Sequence, residues 1–386
     1  MLHDQFIEEI PFFTPEHRRL AARVADLATH KIESRRAEAN ETDAGFRELL
    51  GLLAHEGILR YAVALPGEPF DLRALCLVRE ALAYTSALAD LAFVMQGLGT
   101  HAISAAARPP VRDFWLARAV EGSAVAAFAL TEPEAGSDAG ALQTTARRDG
   151  DFYILDGCKR FISNAGIADF YTVFARTGAR PDGRAQISAF VVSARIPGFS
   201  VRERTRMTAP HPIGEIEFAG VRVPAEHMIG AEGDGYRLAM ETLNMFRASV
   251  GAAACGMARR ALDESIAHAK RRAQFGAPLA EQQLIQEKIA TMATELDAAR
   301  LLVYRAAYLR DVDPQGLFTR AASQAKLFAT EAAWRIIDSA VQIHGGRGLL
   351  YGSAVERLYR DIRALRIYEG TSEIQKLIIA GQLLKK

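Results

Sequence analysis

Between Val125 and about Pro224 this chain reads as β-strands, while both flanks read as helices, so one uniform layer cannot accommodate it. Phe152-Tyr153-Ile154-Leu155 ends on Asp156-Gly157, which predicts a turn. Phe170 to Arg176 is β-branched and aromatic, and Gln186 to Ser193 carries Ile187, Phe190, Val191 and Val192. Glu215 to Val223 alternates less regularly through Ile216, Phe218 and Val221. Glycine or proline separates these runs, as in a small all-β domain.

The flanks carry helical signals. Thr14 can cap a helix with Pro15 at its first position, and Arg18 to Arg36 puts Leu20, Val24 and Leu27 on one face. Leu72 to Ala87 is a good helix former. Pro109-Pro110 breaks the pattern before a further helix over Val111 to Glu121. Past Gly235, Ile285, Ile289, Met292, Leu296, Ala299 and Val303 form a bundle-type stripe within Ala280 to Asp311. A second helix runs from about Leu317 to His344, with Ile336, Ile337, Ala340 and Val341 inside and Gly345 at its C-cap. The last follows Thr371, with Ile374, Leu377 and Ile378 expected to face the core. The expected domains are all-α 1–125, β 126–230 and helical 231–386.

Composition narrows the class. A chain of 386 residues, 49% hydrophobic and 24% charged, can bury a large core without staples. Lys+Arg total 47 against Asp+Glu 46, so the basic excess of a nonspecific nucleic-acid binder is missing. Cys76, Cys158 and Cys255 are too far apart for a short-spaced zinc motif, and no metal is expected. Their odd number fits a reducing compartment. Met1 to Phe13 is acidic and broken by Pro11, unlike a signal peptide, and no apolar run approaches a membrane span. A cytoplasmic protein is expected.

Five segments carry chemistry. Thr131-Glu132-Pro133-Glu134-Ala135-Gly136-Ser137-Asp138 follows the apolar run Val125 to Leu130; its small residues let backbone N–H groups approach a ligand, and its hydroxyls add donors. Gly157-Cys158-Lys159-Arg160-Phe161-Ile162-Ser163-Asn164 sets a ring, a hydroxyl and an amide close together. The ring could cover a planar cofactor, and Ser163 could donate to a ring heteroatom. Arg272-Ala273-Gln274-Phe275-Gly276-Ala277-Pro278-Leu279 lies between two helices, and a guanidinium beside a ring and a helix N-terminus suits a pyrophosphate. Gln342-Ile343-His344-Gly345-Gly346-Arg347-Gly348 follows a helix, not a strand, and is not GxGxxG, so a dinucleotide fold of that type is not indicated. In Arg366 to Ile374, Glu369 sits just outside the last helix among Leu365, Ile367 and Tyr368. Apolar surroundings raise a carboxyl's pKa and make it a better base near neutral pH. Taken singly, these segments read equally as a surface turn, a core ring, a helix connection, a helix cap and a solvated loop carboxylate.

Together, in this order and spacing, the five segments resemble the acyl-CoA dehydrogenase family of flavoproteins over nearly the whole chain. The resemblance implies an α+β fold with an N-terminal helical domain, a middle antiparallel β-barrel or sandwich domain and a C-terminal four-helix bundle. It implies FAD, with Phe128, Leu130, Thr131 and Ser137 at the flavin and ribityl chain and Phe161 and Ser163 flanking the isoalloxazine. Arg272, Phe275, Gln282, Gln283, Gln342, Gly345 and Gly346 match positions that complete the adenine and pyrophosphate end of a neighbouring subunit's cofactor. Thr371 and Glu373 match positions that hold the cofactor beside the catalytic loop, and Ser137, Asn244, Arg247 and Gly370 match substrate contacts. The shared site implies a homotetramer, a dimer of dimers. Glu369 matches the usual catalytic base, which takes the α-proton of an acyl-CoA while hydride goes to flavin N5 and electrons pass to an electron-transfer flavoprotein. Its backbone N–H and a ribityl hydroxyl would polarise the thioester carbonyl. Some members carry the base on the helix before the Arg272 segment; here Leu243-Asn244-Met245-Phe246-Arg247 holds no carboxylate.

The chain departs from the family in places. Phe161 and Ser163 stand where Trp and Thr are common, and Ala64 to Phe70 replaces a Tyr-Gly-Gly loop. After Arg206-Met207, Thr208-Ala209-Pro210-His211-Pro212-Ile213-Gly214 replaces a Gly-rich stretch, and two prolines stiffen it. His211 there is either a second acid/base or a structural histidine. Phe246, if it faced the acyl cavity, would favour short, branched or cyclic chains. The alternatives are an enzyme acting on a carrier-protein thioester, an oxidase, and a flavin-loaded DNA-binding member. That last reading would want a basic C-terminal surface, and the tail offers only Lys376, Lys385 and Lys386.

Overall fold

The computed structural model describes residues 4–33, 43–313 and 318–384. Arg36, Leu317, Lys385 and Lys386 lie outside the described residues. In chain order the helices are α1 (Gln5–Glu9), α2 (Pro15–Leu27), α3 (Asp43–His55), α4 (Leu72–Thr85), α5 (Ala87–Ala106) and α6 (Pro109–Val120). They continue with α7 (Gly235–Arg271), α8 (Gln283–Val312), α9 (Phe318–His344), α10 (Ala354–Leu365) and α11 (Ser372–Leu384). The strands are β1 (Ala126–Ala129), β2 (Thr145–Asp149), β3 (Phe152–Ser163), β4 (Phe170–Ala179) and β5 (Ala185–Ser193). They continue with β6 (Phe199–Arg204), β7 (Ile213–Pro224), β8 (Met228–Ile229), β9 (Ala273–Gln274) and β10 (Ala277–Pro278). The chain divides into two units, one of residues 1–37, 71–90 and 244–386, the other of 38–70 and 91–243.

In the second unit a sheet runs in the order β6-β7-β3-β2-β4-β5-β8, with β1 beside β4. Its pairings are antiparallel except that β1 and β2 run parallel to β4. Gln96 sets the position of β1. Fully buried, its Nε2 donates to the Ala119 and Ala124 carbonyls at 2.9 and 2.8 Å, and its Oε1 accepts from the Ala126 N–H at 2.9 Å. Gly99 allows the close approach, since a Cβ there would lie 2.8 Å from the Ala126 methyl.

One local expectation fails here and another shifts. Asp156-Gly157 is no turn: β3 runs through it with a bulge against β7, and a Cβ on Gly157 would lie 2.7 Å from Thr144 Cα. The reversal comes at Gly150 instead, where φ is +58°. Pro109-Pro110 separates α5 from α6 as expected, but α6 already starts at Pro109 rather than Val111, because the first helical turn needs no N–H donor there.

In the first unit α9 packs on α8, α10 and α11, and α4 packs on α2 and α8. The bundle stripe holds, with Met292, Leu296, Ala299 and Val303 buried. The α11 expectation fails: Leu377 is 68% exposed, and the buried positions are Ser372 and Gln375. Those two polar side chains take the inner face because partners wait for them there. Ser372 Oγ donates to Glu331 Oε1 at 2.5 Å, and Gln375 donates to two loop carbonyls. Val341, expected inside, is half-buried. A buried charge cluster joins distant segments of the same unit. Arg300 donates to Asp4 Oδ2 at 2.6 Å and lies 3.0 Å from Glu80 Oε1, Arg259 pairs with Asp4, and the Tyr304 hydroxyl donates to Glu80 at 2.6 Å.

Candidate active site

In the sheet unit the ends of β1 and β3 bring two of the five segments together. The Arg160 N–H donates to the Thr131 carbonyl at 2.9 Å, and the buried Lys159 ammonium donates to the Leu130 carbonyl at 3.1 Å and to Glu132 Oε1 at 2.7 Å. Glu132 also accepts from the Gln143 and Thr144 N–H groups, which fixes the turn leading to Ser137. Burial would raise the Glu132 pKa, but the charge and hydrogen bond of Lys159, with the bonds from Thr144 and Gln143, together hold the carboxyl below its usual range. Burial pulls Lys159 down to about 8. Phe128 is half-buried with its ring 5.0 Å from Phe174, Leu130 is buried, Thr131 is half-buried and Ser137 is exposed.

A register shift between Lys159 and Ile162 sets Phe161 at φ +54°, with its ring 49% exposed. Asn164 also sits at φ +66°; its Nδ2 donates to the Ala126 carbonyl at 3.0 Å, while its buried Oδ1 has no hydrogen-bond partner among the described residues. Between them, Ser163 Oγ lies 2.8 Å from His211 Nε2.

In the helical unit the Glu369 loop joins α10 to α11. Glu369 has φ +53°, a conformation that costs a side-chain-bearing residue about 1–2 kcal/mol. Two buried side chains hold the loop against that cost. Lys326, from α9, donates to the Gly370 carbonyl at 2.7 Å. Gln375, from α11, donates to the Glu369 and Gly370 carbonyls at 3.2 and 3.0 Å. Gly370 must be glycine, because a Cβ would lie 2.6 Å from Gln375 Nε2.

The Glu369 carboxyl has a buried Oε2 with no hydrogen-bond partner among the described residues. Burial raises its pKa, against the opposing charges of Arg79, Lys326 and Arg247. Burial likewise lowers Lys326 to about 8, against the pull of Glu369. Arg79 is itself buried, with Nε and Nη2 each 2.8 Å from an Asp90 oxygen and Nη1 2.9 Å from Ser249 Oγ. The result is a carboxyl with a desolvated, unpartnered Oε2 and three cations acting on its charge. Arg247 is buried within reach of its charge, and Asn244 donates to Thr319 Oγ1 at 3.0 Å with its own Oδ1 buried. Thr371 Oγ1 accepts from the Ile374 N–H and so caps α11, and Glu373 is exposed in its first turn. Phe246 is fully buried.

The remaining predicted residues gather at one end of α7 and α9. The His268 and His344 rings stack with centroids 4.3 Å apart, which pins the Arg272 segment beside the Gln342 segment. Arg272 leads into the hairpin of β9 and β10, whose tip is Phe275-Gly276 with φ of +53° and +81°. Both central residues of a two-residue hairpin loop have positive φ in a type I′ turn, where Asn or Gly is usual. Phenylalanine stands there instead, 97% exposed. Gln282 precedes α8 and Gln283 begins it, and Gln342, Gly345 and Gly346 are exposed, with open space around both glycines.

Sequence reasoning missed Arg79, Asp90, Lys326 and Gln375. A signal existed for Lys326: it stands between Ala322 and Thr330 on a stripe otherwise made of Ala325, Ala329 and Ala333, all buried. A charge on an apolar face needs a partner, and the partner here is the Gly370 carbonyl of the Glu369 loop.

The exposed rings on strained backbone and the buried, unpartnered carboxylate are each what an oxidoreductase with a planar cofactor calls for. Three family descriptions match the chain: "Acyl-CoA dehydrogenase, N-terminal domain" at residues 14–123, "middle domain" at 127–221 and "C-terminal domain" at 233–384. The chain belongs to the acyl-CoA dehydrogenase family, whose members are FAD enzymes. It is 38% identical to the 3-(aryl)acrylate reductase of Clostridium sporogenes, over 97% of this chain and 100% of that one. The solved butyryl-CoA dehydrogenase of Megasphaera elsdenii superposes with a TM-score of 0.88 at 34% identity, covering 97% of this chain and 99% of its own. A glutaryl-CoA dehydrogenase of Mycobacterium smegmatis in complex with FADH2 gives a TM-score of 0.87 at 28% identity, covering 97% and 96%. Among the described residues no helix is long and apolar enough to cross a membrane.

Proposed function

We propose that this protein is a cytoplasmic FAD-dependent acyl-CoA dehydrogenase that converts an acyl-CoA to its trans-2-enoyl-CoA, with Glu369 as the base. The residues present fit the cofactor: Phe161 offers an exposed ring on strained backbone beside the Ser163 hydroxyl, and Phe275 offers a second ring next to Arg272. Phe128, Leu130, Thr131 and Ser137 would line the flavin and ribityl chain. Gln282, Gln283, Gln342, Gly345 and Gly346 would receive the adenine and pyrophosphate end of a neighbouring copy's cofactor. When bound, FAD supplies the acceptor for the β-hydrogen as hydride.

This chain's own work is on the proton. Glu369 Oε2, desolvated and unpartnered, accepts the α-proton, and its raised pKa brings its basicity closer to the task. Arg79, Lys326 and Arg247 keep enough of it ionised to act. The Glu369 backbone N–H donates to the thioester carbonyl and stabilises the charge that develops there. Ser137, Asn244, Arg247 and Gly370 orient the substrate. Electrons then leave to an electron-transfer flavoprotein. The exposed apolar residues Phe275, Leu284, Leu349, Leu350 and Tyr351 support assembly into a dimer of dimers.

The buried, unpartnered Glu369 oxygen carries this reading, and Glu369→Gln tests it. The amide keeps the shape and the backbone N–H but cannot take the proton. Anaerobic flavin bleaching across a panel of acyl-CoA esters should slow by at least about 10²–10⁴-fold while FAD and substrate still bind. A variant that bleaches within a few-fold of wild type would remove Glu369 from the role. Activity only on carrier-protein thioesters, or peroxide formed without an added acceptor, would redirect the assignment within the family.

A further inference from the structure

The loop of residues 205–212 replaces a Gly-rich stretch with Pro210-His211-Pro212, and the structure gives it a partner. The Thr205 N–H donates to the Ile213 carbonyl at 2.9 Å, and the Asn164 N–H donates to the Pro212 carbonyl at 2.7 Å. Ser163 and Ile213 face each other in the β3–β7 register. His211 is thus anchored two residues from the strand that pairs with Ser163. A residue before proline is confined to extended backbone, and Pro210 fixes the chain on the other side. These constraints aim the imidazole at one atom: Nε2 lies 2.8 Å from Ser163 Oγ.

A hydroxyl has one hydrogen to give and two lone pairs to receive. If Nε2 accepts, the Ser163 hydrogen is spent on His211. If Nε2 carries the ring's N–H, the Ser163 oxygen receives it and the hydroxyl hydrogen is free to point elsewhere. Burial lowers the His211 pKa to about 4, so the ring is neutral and holds a single N–H. The pair sits two residues from Phe161, the exposed ring on strained backbone.

We propose that His211 is a positioning residue for the cofactor: its Nε2–H donates to Ser163 Oγ and turns the serine hydrogen outward, toward a heteroatom of the flavin ring. This rests on the assignment of Ser163 to the flavin made above. It gives the departures at 163 and 211 one physical account. A serine hydroxyl lacks the methyl that restricts a threonine's rotamer, and the neighbouring imidazole supplies the missing direction. His211 does not touch the reacting atoms; it acts through Ser163.

The test uses the FAD-loaded protein in four forms: wild type, His211→Phe, Ser163→Ala and the double variant. The readouts are the midpoint potential of the bound flavin, its visible absorption bands and the dissociation constant of FAD. One well-directed hydrogen bond to the ring should change the ratio of affinities for oxidised and reduced flavin about tenfold, which is about 30 mV for a two-electron couple. His211→Phe should show that shift in the Ser163 background and no further shift in the Ser163→Ala background. His211→Gln, whose amide N–H can replace the donor, should recover most of the wild-type potential. Equal shifts in both backgrounds, or none in either, would overturn the proposal. Wild-type protein that takes up no FAD would overturn the functional reading itself, and this one with it. Should His211→Phe fail to fold, Ser163→Ala and His211→Gln still decide the matter, because an unshifted Ser163→Ala potential is enough to refute it.

Discussion

Replacing Lys326 with methionine separates what this residue does for the fold from what it does for the base. Burial depresses its pKa from 10.5 to about 8, so keeping the cation inside costs about 3 kcal/mol. Methionine of similar length removes that cost. It also removes the bond to the Gly370 carbonyl, worth about 1.5–3 kcal/mol for a charged donor, although Gln375 still donates to the same oxygen. The two nearly cancel, and global stability at pH 7 should change by no more than about 1 kcal/mol. The electrostatic effect on Glu369 does not cancel. Lys326 holds the carboxyl pKa down, so without it the Glu369 carboxyl titrates higher. The acid limb of flavin bleaching should move to higher pH, with a tenfold slower rate per pH unit below it. In wild-type protein the folded Lys326 pKa lies below its unfolded value. The unfolded state therefore binds more protons between about pH 8 and 10.5, and stability rises with pH in that window. In Lys326→Met this rise should vanish. Anaerobic bleaching against pH and urea unfolding against pH measure both effects. A loss of several kcal/mol with an unmoved acid limb would refute the argument and leave Lys326 as a structural pin alone.

Glu132→Gln should cost about 3 kcal/mol in urea unfolding at neutral pH, because Lys159 would stay buried without its counter-charge. Since the folded Glu132 pKa is depressed, its contribution in wild type is present above the unfolded pKa and lost as pH falls through the folded one. Phe275→Asn should leave the apoprotein as stable or up to about 1 kcal/mol more so, as asparagine tolerates φ +53° better, while FAD dissociates faster; unchanged FAD release would remove Phe275 from the cofactor site. Light scattering of the holoprotein should give a tetramer, or at least a dimer, and a flavin-saturated monomer would contradict the shared site.

Periodicity carried the fold a long way. The stripe from Met292 to Val303 and the β-branched runs at Phe170 and Gln186 are where the spacing puts them, because burying an apolar face decides helix and strand alike. Reading failed where one contact overrode the pattern. Gly157 looked like a turn residue and is a bulge packed on Thr144. Leu377 looked like core and lost its place to Gln375, whose amide has two carbonyls to satisfy. At the candidate site, motif order singles out Phe161, Phe275 and Glu369. What supports them is not legible in the sequence, since Arg79, Asp90 and Lys326 resemble ordinary helix charges until the three-dimensional neighbours are known. Among the described residues the non-glycine positions with positive φ are Phe161, Asn164, Phe275 and Glu369. All four fall inside the five segments, and backbone strain of this kind gathers where surrounding structure over-determines a functional geometry.

The charge cluster around Asp4 also has a consequence in time. Asp4 leaves the ribosome well before its partner Arg300, which lies 296 positions later. At bacterial or eukaryotic elongation rates of about 5–20 residues per second, that is a wait of roughly 15–60 s. Glu80, too, must wait for Arg300 and Tyr304, and the backbone N–H groups of Leu72 and Arg73 for Asp311. The residues of the sheet unit end at 243. Synthesis therefore delivers the residues of the β-unit while Asp4 and Glu80 still lack their partners, so the order of synthesis leaves these early acids waiting for the C-terminal helices.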